Sequence, residues 1–318
     1  MFRFIQSRMY LQVIALVAVL VWAVFQVVTS TQCLQLPATA LYWDSFAPLQ
    51  EHYVSLCLIL ALGSIFQIVL TDVYYFRGGF GDTHHLMVIL WYLILLCCGG
   101  FVAQISPIWF TNILLVLVVS INFDYDSGNL KSKDLLSGIL TGIATLFYPP
   151  AVMIGLFVVN SLIINRFSKY KDILIVLFGI FLVYLYVFCY YLFTDRLVEF
   201  YKTILCIQWG DTFSSTVVFS WREIVLLATA ATSILYAFTV LKIEYDNKQI
   251  ILRKRLLTIH LIMISCILMM VFSPFDVHYS IVVLLFPMTL YYAMLSQIKR
   301  HSLINDIMML IFVAALCL

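Results

Sequence analysis

Asp44 lies between Tyr42-Trp43 on one side and Phe46 and Pro48 on the other. Large amphipathic aromatics settle at a membrane–water boundary, so this carboxylate is expected beside apolar matter rather than in bulk water. That placement suits a general base taking a proton from a bound hydroxyl. Arg196 and Arg222 are the matching cations, because a guanidinium offers phosphate oxygens a planar fork of donors. Asp195 precedes the first of them, and Asp276 with His278 adds a further acid–base pair. Together they are candidates to bind a substrate or a phosphate around the Asp44 base. Taken singly, each is also what a solvated loop carries, and snorkelling accounts for arginines at helix ends.

Other motifs carry less. Asp82, Thr83, His84 and His85 follow a glycine-rich run, but adjacent helical residues point about 100° apart, and Asp82 or Thr83 serves as an N-cap. The glycines match neither a phosphate-binding loop nor a dinucleotide fingerprint. Asp124 and Asp126 form a DxD in a short loop with no nucleotide-binding domain around it, and read as a solvated turn. His260 stands alone in an apolar run and reads as a satisfied bundle histidine. No metal site is expected, and the sequence leaves any cofactor unknown.

The elements that must position these residues follow from composition. The 318-residue chain is 64% hydrophobic and 11% charged, against about one quarter charged in a soluble domain. A soluble chain this apolar has too little polar surface to cover itself, so most of it should face lipid. The net charge of +2 and the lack of a basic stripe argue against nucleic acid. Aromatic residues at 16% suit interfacial belts. None of the eight cysteines forms a CxxC pair, and Cys33 and Cys206 fall in polar segments where a disulfide is open.

Apolar runs of spanning length, about 20 residues, fall at 9–28, 53–70, 86–105, 108–123, 135–164, 173–193, 224–241, 256–272 and 279–295, with a shorter one at 307–318. The first reads as an uncleaved helix that also directs insertion. The run 135–164 is interrupted by Pro149-Pro150, which remove two backbone donors and disfavour helix just before them. Charge chooses between one kinked span and a hairpin. With Arg3 and Arg8 inside, a hairpin keeps Lys131, Lys133, Arg166, Lys169, Lys171, the basic run 253–255, Lys299 and Arg300 on the cytoplasmic side. A single crossing throws two of those clusters outside. Arms of about 14 residues reach roughly 20 Å, so a re-entrant or tilted hairpin is expected. Broken backbone at membrane depth persists only where protein or a water-filled cavity satisfies it, which makes Tyr148 a candidate cleft wall. The apolar spacing after Asp195 predicts an amphipathic interfacial helix. The expectation is an all-α, single-domain, polytopic transmembrane bundle of about nine to ten spans, in the cytoplasmic (inner) membrane, N-terminus inside.

The stretch from Asp134 to Leu156 is a run of Gly, Leu and Ala ending in Tyr148-Pro149-Pro150 and continuing apolar. It is similar to a segment recurring in GT-C-type, polyprenyl-phosphate-dependent glycosyltransferases. With the basic loop after it and Tyr190, Tyr191, Thr194 and Asp195, it more closely resembles a family of uncharacterised multi-pass membrane proteins of Bacteroidetes. The GT-C resemblance implies an active site at the outer face, a carboxylate base on the first outer loop and basic residues holding a polyprenyl-phosphate-linked sugar. Asp44 occupies that loop, although residues 29–52 make a shorter loop than that fold usually has. The leading expectation is a GT-C-like envelope glycosyltransferase or a degenerate relative. The alternatives are a non-enzymatic accessory subunit of an envelope assembly and a transporter or flippase. The bilayer is the one partner composition requires.

Overall fold

A computed structural model describes residues 85–98, 107–123, 130–166, 170–201, 221–245, 250–273 and 280–297, with isolated positions 17, 303, 306, 307, 310, 311 and 314. Within this set there is no strand. The helices are α1 (His85–Cys98), α2 (Pro107–Phe123), α3 (Leu130–Phe147), α4 (Val152–Arg166), α5 (Tyr170–Phe193), α6 (Leu197–Phe200), α7 (Trp221–Tyr245), α8 (Ile250–Val271) and α9 (Leu285–Gln297). Short 3-10 turns, Pro149–Ala151 and Ile281–Leu284, lead into α4 and α9. Among the described residues, three stretches are long and apolar enough to cross a membrane: Tyr170–Phe193, Ile224–Ile243 and Arg253–Val271. The expected span at 9–28 lies outside the described residues but for position 17, that at 53–70 lies wholly outside them, and so do all but a few positions of 307–318.

The run 135–164 does reverse direction. Tyr148 closes α3 with its amide on Ala144 O at 3.0 Å and is itself extended, φ −146° and ψ 101°. That is the conformation a following proline imposes. Pro149 and Pro150 then occupy a first helical turn, where a missing N–H costs nothing, and Ala151 N returns to Tyr148 O at 2.8 Å. A Cβ built on Gly155 in α4 would lie 3.8 Å from Thr141 Cγ2 in α3 and 3.6 Å from Ile180 Cδ1 in α5. Residues seven before and seven after Tyr148 meet, so α4 runs back beside α3. The first arm is longer than expected, because α3 starts at Leu130; its 18 residues reach about 27 Å.

α3 and α5 run parallel in very close contact. A Cβ on Gly138 would fall 2.3 Å from Val176 O, one on Gly179 2.7 Å from Leu135 O, and one on Gly142 3.0 Å from Val183 Cβ. Gly138 and Gly142 are a small-xxx-small pair, a spacing that lets two helix backbones touch. Higher along the pair, Tyr184 OH donates to Thr145 Oγ1 at 2.8 Å, and Leu146 packs on Val187 and Tyr191. The opposite side of α5 is exposed, with Phe178, Phe181 and Tyr186 on it. In contrast, every described residue from Ser280 to Leu295 is buried. A helix that is apolar all round belongs in the middle, and α9 is packed by α1, α7 and α8, with Trp91 and Tyr292 rings 5.1 Å apart.

Candidate functional site

One end of the bundle collects the hairpin tip and most of the polar groups that cross between helices. Tyr148 is fully buried, and its hydroxyl donates to Met269 O at 2.9 Å. The last turn of α8 explains the partner: Phe272 N bonds Leu268 O and Ser273 N bonds Met270 O, so the carbonyl of Met269 is left over. Terminal helical carbonyls need an outside donor, and the tyrosine supplies one 121 residues away in sequence. Beside it, Ser280 Oγ donates to Ser273 Oγ at 2.6 Å. Thr111 Oγ1 reaches Ala144 O at 3.5 Å, and Asn112 Nδ2 donates to Val282 O at 3.2 Å. Phe110 stacks on Phe147 with centroids 5.5 Å apart, so the start of α2 meets the end of α3. Asn112 Oδ1 and Trp109 Nε1 are buried there with no partner among the described residues. Their free acceptor and donor are capacity that a polar molecule can meet.

Asp195 and Arg196 share this end. They follow α5, whose last turns pack on Leu146 at the close of α3. Arg196 N bonds Tyr191 O at 3.0 Å and Asp195 N bonds Leu192 O at 3.3 Å, with Asp195 at φ 55°. This pair of bonds around one left-handed residue is the Schellman arrangement that terminates helices. Both side chains are exposed. The predicted interfacial helix begins directly afterwards as α6, where Phe200 lies against Phe188 and Tyr191; Leu197 and Val198 are exposed. Arg222 is the second residue of α7. Phe238 and His260 ring centroids lie 4.7 Å apart, which sets α7 antiparallel to α8 across the short link 246–249. The start of α7 is thereby brought to the end where α8 finishes. Tyr148, Asp195, Arg196 and the backbone of Arg222 are thus at one end.

Asp44, Asp276 and His278 lie outside the described residues, as do Asp82, His84, Asp124, Asp126, Cys33 and Cys206. No three His, Cys, Asp or Glu side chains gather among the described residues. His260 is not solitary: its Nδ1 is hydrogen bonded to Tyr291 OH, and it ties α7, α8 and α9 together. Asn112, Ser273 and Ser280 were not singled out in the sequence. Nothing in an apolar run distinguishes a serine that bonds across a turn from one that bonds its own helix. Gly138 and Gly142 did carry a readable signal in their four-residue spacing. No protein-family model matches the chain, and neither does any curated protein or solved structure.

Proposed function

We propose that the chain is a multi-pass protein of the cytoplasmic (inner) membrane with its N-terminus inside. We propose further that it acts as a GT-C-like envelope glycosyltransferase or is a degenerate relative of one. One observation carries this reading. The reversal at Tyr148-Pro149-Pro150 draws the break in the run 135–164 to the same end as Asp195, Arg196 and the start of α7. In this scheme that end faces outward. Asp44 takes the proton from the acceptor hydroxyl, and Arg196 and Arg222 neutralise the leaving polyprenyl phosphate, where charge develops in the transition state. Asp195, Asp276 and His278 complete the polar rim. Tyr148 supports the cleft from beneath by fixing the hairpin to α8.

A second reading, a non-enzymatic accessory subunit, draws on the burial of Tyr148 and the committed hydroxyls around it. Complementation of a deletion strain separates the two, with envelope glycans and lipid-linked sugars profiled at matched protein levels. The enzyme reading expects Asp44→Asn and Arg222→Gln to leave the glycan defect uncorrected. Asp195→Gly is informative because glycine favours the left-handed turn while removing the carboxylate. Restoration of the wild-type profile by Asp44→Asn and Arg222→Gln, or a deletion without glycan change, gives the accessory reading its support.

A further inference from the structure

The end of the bundle opposite the hairpin tip is basic, and we propose that it is a binding surface for anionic phospholipid headgroups. The inference rests on the membrane reading above. The register of α3 on α5 carries it. Gly138 meets Val176, so Lys131 and Lys171 lie about 10 Å and about 8 Å below that contact, at 1.5 Å per residue. They stand on touching helices at nearly one level, and both are exposed. Tyr170, 69% exposed, adjoins Lys171, giving the aromatic–cation pairing found at headgroup depth. α8 finishes at the hairpin tip, so its basic run 253–255 and the exposed Lys242 near the close of α7 belong to this same end. Lys133 joins them. Asp134 on α3 is buried and Asp172 on α5 half-buried, whereas Lys131, Lys171 and Lys242 are exposed.

The placement runs against local helix preferences. Neither α3 nor α8 has an acidic residue in its first turn, and α3 has Lys131 and Lys133 there instead. Cations at a helix N-terminus oppose the macrodipole, so folding alone does not favour them. An anionic leaflet does: each Lys or Arg near such a surface is attracted to it within about a Debye length. The occupant is a lipid phosphate because Lys171 and Lys242 stand at the ends of α5 and α7, two of the helices long and apolar enough to cross a membrane.

Native mass spectrometry of the purified full chain tests this, with equimolar phosphatidylglycerol and phosphatidylcholine of matched acyl chains. The wild type is expected to retain phosphatidylglycerol about five- to tenfold over phosphatidylcholine, the factor that roughly 1 kcal/mol from one cation against a bound headgroup corresponds to. The triple variant Lys131→Gln, Lys171→Gln, Lys242→Gln is expected to lose at least half of that preference, and the corresponding Lys→Arg triple keeps it. Equal retention by the wild type overturns the inference, as does a preference that survives undiminished in the glutamine triple. Displacement of the lipid by millimolar inorganic phosphate overturns the lipid assignment in favour of a general anion site; resistance to it supports the lipid. Carbonate extraction is run in parallel. Release of the chain from membranes defeats the membrane reading itself, whereas retention without lipid preference defeats only this inference.

Discussion

At the scale of single residues, Tyr148 shows how a residue selected for its place beside a proline pair acquires a second task. Pro149 fixes its extended backbone, and that conformation sends its ring to the end of α8. There the hydroxyl satisfies a carbonyl that the helix cannot. Tyr148→Phe removes the donor and leaves Met269 O buried without a partner. Losing a buried partner costs about 1–3 kcal/mol in soluble proteins, and interhelical hydrogen bonds in membranes average nearer 0.6. The expected loss is therefore about 1 kcal/mol, read as a lowered unfolding midpoint in detergent. An unchanged midpoint would show that the tyrosine contributes only its ring. Asp195 belongs to the same scale: its left-handed turn is a way to end α5, and its exposed carboxylate remains available to a ligand.

At the scale of elements, the α3–α5 pair is where substitution is most sharply discriminated. Gly138→Ala places a methyl 2.3 Å from Val176 O, a backbone atom that cannot rotate away. The helices must part, and the loss should reach about 2–3 kcal/mol, the range found for overpacking. Gly155→Ala meets only ordinary contacts, at 3.6 and 3.8 Å. It should be neutral or slightly stabilising, because alanine exceeds glycine in helix propensity by about 1 kcal/mol. Thermal denaturation of both variants under one detergent condition checks the contrast; equal effects would mean that α3 and α5 are not in this register.

At the scale of the whole molecule, the ends of the bundle differ in kind. One holds the hairpin tip, Asp195, Arg196 and the buried serine pair; the other holds the exposed lysines. In the orientation proposed above, cysteines introduced by Lys131→Cys and Lys171→Cys should react with an impermeant maleimide only when the cytoplasmic side is open. One introduced by Asp195→Cys should react in intact cells. Labelling of all three from one side would mean that α5 does not cross the bilayer. That Lys131 and Lys171 share a side follows from the hairpin: with a single crossing at 135–164 they would lie on opposite sides.

Much of this was legible in the sequence. Apolar runs at 108–123, 173–193, 224–241 and 256–272 located α2, α5, α7 and α8 to within six residues, because an apolar run of that length marks a helix whatever its faces pack against. The proline pair and the distribution of lysines predicted a reversal at Tyr148, since both act locally or through charge alone. Tertiary structure decided what those local rules cannot reach. It matched Tyr148 to Met269, Ser280 to Ser273 and His260 to Tyr291, and it set which face of α5 meets α3. Each of these depends on the register of helices distant in sequence, and apolar side chains of similar size leave no trace of that register in the chain. The candidate site shows the same division: which residues could carry chemistry was written in their types, whereas the gathering of Tyr148, Asp195, Arg196 and the start of α7 at one end rests on the reversal of α4 and the packing of α3 on α5 and of α7 on α8.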